Sequence, residues 1–294
     1  MPEYDYLLIG GGMTADAAAR GIRELDEHGR IGLISAETDP PYSRPPLSKG
    51  LWQDQTEEDI DRWTESLGVD LHLGVRALAI DRQQRHVSLS DGRSFGYRRL
   101  LLATGGTPRR LKGLEDGVIY YRTLADFRRL QEQLQGGRRK VLILGGGYIG
   151  AELAAALVSH DHEVHMAFPE RFVLERLLPA ELAQSVSQLY TSRGVTLHRR
   201  LSAESVRHSH GGPVARFDDG TELLVDVVVA GLGIIPETGL AEAAGLQVAD
   251  GIIVNEFLQT SDPDIFAAGA VASIHYPWAA ASAASTRRTR TQAA

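Results

Sequence analysis

An α/β architecture follows from two segments that look alike and from what surrounds them. Tyr6–Ala19 reads YLLIGGGMTADAAA and Val141–Ala154 reads VLILGGGYIGAELA. Each is a short apolar run, three glycines and an Ala-rich stretch. That order suits a buried parallel strand, a tight turn and a closely packed helix. Strand and helix signals also alternate along most of the chain, which implies parallel sheets with crossover helices. The simplest architecture is two Rossmann-like dinucleotide-binding domains, the second inserted into the first. The first takes residues 1–112 and 241–278, the second 113–240, and 279–294 form a tail.

The remaining elements fall into place in chain order. Arg30–Ser35 reads as the second strand of the first domain. DPPYSRPPLSKG follows as a loop, because four prolines between Pro40 and Pro46 remove backbone donors. Leu71–Leu73, Ala77–Ile80 and Val87–Leu89 read as short strands, with Asp91-Gly92 as a turn, and Leu100–Ala103 as a further strand. Thr123–Leu134 has the spacing of an amphipathic helix. In the second domain Val164–Phe168 and Val195–Leu197 read as strands and Pro179–Arg193 as a helix. Asp218-Asp219-Gly220 reads as a hairpin turn before one long strand, Leu223–Ala230.

Composition excludes several functions. Lys plus Arg number 31 against 38 Asp plus Glu, a net charge of -7, so nucleic acid is not the expected partner. There is no cysteine. That removes thiolate metal sites, iron–sulfur ligation and every dithiol mechanism, and it fits a reducing cytoplasm. The start, MPEYDYLLIG, lacks the basic and apolar regions of a signal peptide, and no apolar run is long enough to span a membrane. His160, His162 and His165 do not have the arrangement of a metal site; a solvated strand edge is expected there.

The glycine segments carry the chemistry. Gly10, Gly12 and Ala15 form G-x-G-x-x-A; Gly145, Gly147 and Gly150 form G-x-G-x-x-G. The first glycine permits the turn, the second lets a pyrophosphate approach the backbone, and the third position packs helix on strand. Two such fingerprints in strand–turn–helix context point to two dinucleotide sites. Each expects an acid about 20 residues on to bind a ribose hydroxyl. Glu37 lies 22 positions after Ala15 and Glu170 lies 20 after Gly150. An acid at the second site favours NADH, while the adjacent Arg171 keeps NADPH open.

PYSRPPLSKGLW (Pro41–Trp52), LLATGGTPRRL (Leu101–Leu111) and HEVHMAFPER (His162–Arg171) resemble the FAD-dependent NAD(P)H:ferredoxin or rubredoxin reductases, relatives of the apoptosis-inducing-factor flavoproteins. The resemblance implies FAD at Gly10, Gly12, Ala15 and Glu37, with Arg44 and Lys49 as cations beside it and Lys49 near the flavin ring. It implies that Ala103, Thr104, Gly105 and Arg109, in the ATGxxPR string, lie where the chain crosses back near FAD. Gly145, Gly147, Tyr148, Ile149, Gly150 and Glu170 are then the NAD contacts, Glu152 an acid close to the nicotinamide, and Gly233 part of a loop over the NAD. Lys49 and Glu152 are the implied catalytic pair, and a small ferredoxin- or rubredoxin-type iron–sulfur carrier the implied partner.

Two departures stand out. The family has an acid where AAGAVA places Ala270, after Gly269; it accepts a hydrogen bond from the FAD ribityl chain. Its loss is expected to cost roughly 1.5–3 kcal/mol. After Trp278 the chain reads AAASAASTRRTRTQAA, expected to be a disordered or aberrant tail, where relatives continue with a third domain of on the order of 100 residues. The alternative reading is therefore a truncated dinucleotide-binding module with weak or no FAD binding and no electron-transfer turnover; a third is an interaction protein.

Overall fold

A computed structural model describes residues 4–112, 114 and 117–274. The expectations for the tail, and for a domain boundary at Gly113, lie outside the described residues. In chain order the first elements are β1 (Tyr4–Ile9), α1 (Met13–Leu25), β2 (Ile31–Ile34), β3 (Val69–His72), β4 (Ala77–Asp81), β5 (His86–Leu89) and β6 (Ser94–Leu102). The short β7 (Gly106–Pro108) follows. Next come β8 (Val118–Tyr120), α2 (Leu124–Gln133), β9 (Lys140–Leu144), α3 (Tyr148–Ser159), β10 (Glu163–Phe168), α4 (Ala180–Ser192) and β11 (Thr196–Arg199). A meander, β12 (Ala203–Ser209), β13 (Gly212–Phe217) and β14 (Glu222–Leu224), precedes β15 (Val227–Ala230) and β16 (Ile234–Pro236). The chain ends its described course with α5 (Gly239–Ala243), β17 (Ile252–Val254), β18 (Ile265–Ala267) and β19 (Ala272–Ile274).

The chain folds into two units. One contains the residues up to Ser43, Asp61–Thr107 and those from Pro236; the other contains Arg44–Ile60 and Pro108–Ile235. In the first unit the strand order is β3-β2-β1-β6-β5-β4, with β18 also on β6. β1 runs parallel to both β2 and β6, so the chain reverses its direction of travel across the sheet at β1. β2 is buried at all four residues, which is why it reads as an unbroken apolar run. β6 is longer than its sequence signal: its start pairs antiparallel with β5 and its end parallel with β1 and β18. One core joins Leu7, Val87, Leu100, Ile265 and Val271; a second places Ala15 and Ala19 of α1 against Leu33.

The second unit repeats the plan. Its parallel sheet has the order β11-β10-β9-β15-β8, with β9 flanked by β10 and β15 as β1 is by β2 and β6. The antiparallel meander packs Ala215 and Phe217 on Leu142, Leu144 and Val228. The expected strand Leu223–Ala230 is two strands. Asp226 divides them, because its carboxylate accepts the Lys140 N–H (2.7 Å) and its own N–H bonds the Lys140 carbonyl (2.8 Å). α2 is capped by Thr123 and Asp126 in a reciprocal capping box.

Two expectations are corrected. Arg44–Ile60, expected in the first domain, belongs to the second unit. Its 3₁₀ turns present the Leu47 carbonyl to both Trp52 Nε1 (2.8 Å) and the Tyr121 hydroxyl, and Trp52 packs edge-on against Phe127 at 5.3 Å. Burial drives the Tyr121 hydroxyl pKa upward, so it serves as a neutral donor. Nor is His165 on a solvated edge. β10 lies between β9 and β11, and His165 is 8% exposed. Its Nδ1 lies 2.9 Å from His198 Nε2, its Nε2 lies 3.0 Å from Glu163 Oε1, and the two imidazoles stack at 5.2 Å.

That pair makes stability pH-dependent. Burial first, then the charges of His165 and Lys140, lower the His198 pKa below 6.5, with Asp219 opposing; burial likewise lowers His162. A depressed imidazole binds fewer protons folded than unfolded, so its stability contribution is complete above pH 6.5 and is lost as pH falls through the folded value. The melting temperature is expected to drop as the pH falls below 6.5, and the drop to shrink in His198→Gln. Thermal denaturation at constant ionic strength reads this; an undiminished drop in the variant rules His198 out.

Candidate functional site

Each fingerprint turn follows the carboxyl end of a strand that has a parallel neighbour on either side, β1 between β2 and β6 and β9 between β10 and β15. Gly10 has φ +126°, and a Cβ there would lie 2.2 Å from the Ala103 carbonyl oxygen. Gly145 has φ +113°, and a Cβ would lie 2.6 Å from the Gly231 carbonyl oxygen. The first glycine thus packs against the end of the next strand in both units, the switch-point position of open α/β sheets. Gly12 and Gly147 cap α1 and α3, and neither helix has a side-chain cap on its first N–H groups. A Cβ on Gly147 would meet nothing within 4 Å, whereas one on Gly150 would lie 2.1 Å from the Gly145 carbonyl oxygen. At the second turn, helix N–H groups without a side-chain cap, beside open space at Gly147, fit a bound pyrophosphate.

The second unit holds a cleft of about 560 Å³ at this point. Gly145, Gly147, Tyr148, Ile149, Glu170, Gly233 and Arg109 line it. Tyr148 is 62% exposed, and Arg109 is anchored by its N–H to the Gly233 carbonyl at 2.9 Å. Gly150 lies behind this wall, buried on α3. Glu170, at the end of β10, accepts from Arg176. Its neighbour Arg171 is turned to Glu175, with Nε 2.8 Å from Oε1.

In the first unit Glu37 follows β2 and accepts a 2.6 Å bond from the Tyr42 hydroxyl. Ala15 is fully buried on α1. Ala103 donates its N–H to the Ile9 carbonyl, Thr104 donates its hydroxyl to the Glu237 carbonyl (2.8 Å), and Gly105 accepts the Glu237 N–H. Gly269 has φ +77° beside Thr14 of α1, and Ala270 next to it is exposed. Beyond the fingerprint, Asp16 is a fully buried carboxylate held by Arg20 (3.0 Å), Arg62 (2.7 Å) and Thr64 (2.8 Å). Burial raises its pKa, and these three hydrogen-bond donors overcome that and lower it.

Lys49 and Glu152 meet within the second unit, Nζ to Oε1 at 2.8 Å. The other carboxylate oxygen accepts from Ser48 Oγ at 2.6 Å, and Ser48 is 3% exposed. Ser48 was legible only as part of the RPPLSK string; its hydroxyl gave no separate signal. Arg44, in the same segment, donates Nη1 to the Arg122 carbonyl at 3.1 Å.

Two sheets whose central strands run parallel, each with a glycine cradle at its switch point, define a protein that binds two dinucleotides. The chain matches the family model for pyridine nucleotide-disulphide oxidoreductase over residues 4–291, and it belongs to that family. It is 38% identical over 279 residues to the ferredoxin–NAD(+) reductase component of the anthranilate 1,2-dioxygenase system of Burkholderia cepacia, covering 92% of this chain and 68% of that one. It is 36% identical over 283 residues to putidaredoxin reductase of Pseudomonas putida, covering 92% and 67%. Among solved structures, the covalent putidaredoxin reductase–putidaredoxin complex superposes with TM-score 0.87 at 34% identity, over 94% of this chain and 70% of that one.

Proposed function

We propose that the protein is an FAD-dependent oxidoreductase that takes hydride from NAD(P)H, NADH preferred, and passes electrons to a ferredoxin- or rubredoxin-type carrier. The paired cradles carry this reading, because transfer between two dinucleotides needs two such sites in one chain. The names of the relatives support the choice of carrier. No helix among the described residues is long and apolar enough to cross a membrane. A cytoplasmic location is our reading from the cysteine-free composition, which fits a reducing compartment.

When bound, the flavin and the nicotinamide supply the hydride and single-electron chemistry. The protein supplies position and charge. Gly10 and Gly12 bring the N-terminus of α1 to one pyrophosphate, and Glu37 accepts from its ribose; Gly145 and Gly147 with Glu170 do the same for the other. Lys49 offers a positive charge where negative charge develops, and Glu152, steadied by Ser48, fixes the ammonium. Arg44 adds a second cation. Ala103, Thr104, Gly105 and Gly269 form the backbone beside the first cradle, and Tyr148, Ile149, Arg109 and Gly233 wall the second.

Ala270 favours a second reading, a dinucleotide-binding module poor in flavin, because a methyl stands where the family's acid accepts a hydrogen bond. An absorption spectrum of the purified protein separates the two. A yellow protein that NADH bleaches without air, and that then reduces a ferredoxin or rubredoxin, supports the enzyme; a colourless one that binds NADH supports the module. Ala270→Asp is expected to raise FAD affinity about 10- to 100-fold, read by titration of the flavin-free protein.

A further inference from the structure

Asp16 lies in the first turn of α1, fully buried, and its N–H donates to the Gly12 carbonyl of the first fingerprint at 3.3 Å. Arg20 Nε (3.0 Å) and Arg62 Nη2 (2.7 Å) pair with one carboxylate oxygen, and Thr64 Oγ1 donates to the other at 2.8 Å. A buried ion cluster is a weak source of stability, because an apolar side chain fills the same space without losing hydration; what it can fix is geometry. The turn that supplies two of the partners is bent to do so. Trp63, between Arg62 and Thr64, has φ +52°, a left-handed conformation that is costly for any residue but glycine. The Trp63 N–H donates to Asp61 Oδ1 at 2.6 Å, and the Arg62 carbonyl accepts from Arg20. The same turn is laced to the segment after β2. The Arg62 N–H donates to the Pro41 carbonyl at 3.0 Å, and Asp61 forms an antiparallel bridge with Tyr42. Tyr42 is buried, and its hydroxyl donates to Glu37 Oε2 at 2.6 Å.

We propose that Asp16 is a positioning residue for the flavin dinucleotide: it sets the span between the start of α1, which meets the pyrophosphate, and Glu37, which meets the ribose. The proposal rests on the reading of the first cradle as the FAD site. A dinucleotide carries its pyrophosphate and its ribose hydroxyls a limited distance apart, so the site must hold both partners at the matching distance. Sheet pairing fixes β1 against β2, but α1 and the Glu37 side chain both lie outside the sheet. Asp16 joins them. The path runs from α1 through Arg62 to Pro41 and Tyr42, and from Tyr42 to Glu37. Arg20 and Thr64 hold the carboxylate and the turn in one orientation. The charges also suit the neighbour. A lone anion one turn from a pyrophosphate would repel it, whereas two guanidiniums on one carboxylate leave the cluster net positive.

FAD dissociation constants of the flavin-free full chain, read by flavin fluorescence, test this without any turnover. The original is compared with Asp16→Asn, Tyr42→Phe and the double variant. Asp16→Asn keeps the volume of the side chain and loses the anion, and is expected to weaken FAD about tenfold or more. Tyr42→Phe is expected to cost about fivefold. If Asp16 acts through Tyr42 and Glu37, the double variant binds FAD within about twofold of Asp16→Asn alone, because the path is already broken. A merely structural Asp16 makes the two losses multiply. NADH affinity, set in the other unit, should hold throughout. Thr64→Ala removes one donor and leaves both ion pairs, so it carries the same comparison with Tyr42→Phe should Asp16→Asn fail to fold. Multiplied losses, or an Asp16→Asn protein that binds FAD like the original, overturn the role of Asp16 and leave the cradle as the FAD site. An unaltered flavin-free protein that binds NADH but not FAD overturns the reading of the cradle, and the proposal with it.

Discussion

Gly150→Ala is expected to unmake the second nucleotide site, lowering NADH affinity by about 100-fold or more and the melting temperature with it. The new methyl would lie 2.1 Å from the carbonyl oxygen of Gly145, a backbone atom with no rotamer to yield. Either α3 lifts from β9 or the Gly145 turn opens. Gly145 cannot give way cheaply, because its φ of +113° and its approach to Gly231 already fix it. Both routes displace the N–H groups at the start of α3. Gly147→Ala is the informative companion. Its methyl meets no protein atom within 4 Å, so the melting temperature should hold while the methyl intrudes where a pyrophosphate would lie. Thermal denaturation and NADH fluorescence titration separate the two effects. A Gly147→Ala protein that binds NADH like the original removes the second cradle from the mechanism.

The two glycine runs made most of this legible in the sequence, because a pyrophosphate imposes its requirements on consecutive residues. A turn of positive φ, an open approach and a close helix–strand contact all fall within Gly145–Gly150. Continuous apolar runs such as Ile31–Ile34 were legible for the same local reason. Side-chain partnerships across long separations were not. Arg44–Ile60 precedes most of the second unit in sequence but joins it through Tyr121, Phe127 and Glu152, none of which its own composition announces. Arg171 carried the signal of adjacency to Glu170, whereas the ion pair is made by Arg176, because Glu175 captures Arg171 first. The burial of His165 was hidden by its histidine neighbours, which suggest solvent until β11 is placed beside β10. Asp226 broke an apolar run that otherwise read as one strand, and only its bonds to Lys140 explain the break.

Lys49→Ala is expected to slow the anaerobic bleaching of bound flavin by NADH about 10²- to 10³-fold, the usual result of deleting one preorganised charge. The ion pair to Glu152 is partly exposed, Lys49 at 54% and Glu152 at 24%, so as a structural tie it contributes at most about 1 kcal/mol. A stabilising role would therefore appear as a small change in melting temperature and nothing else. A role in charge placement would leave the melting temperature nearly fixed and move the rate. The three side chains also predict an order. Glu152→Gln keeps the size of the side chain but loses the anion that holds the ammonium, so it should retain more activity than Lys49→Ala. Ser48→Ala leaves the ion pair and frees only the second carboxylate oxygen, so it should be the mildest. Its cost is that of a single hydrogen bond from a buried hydroxyl, about 10-fold in rate at most. Stopped-flow reduction with matched flavin occupancy measures all three. Were Lys49→Ala to bleach at the original rate, the pair would be a tie between the 3₁₀ turns and α3, and the charge at the flavin would have to come from Arg44 or from the backbone.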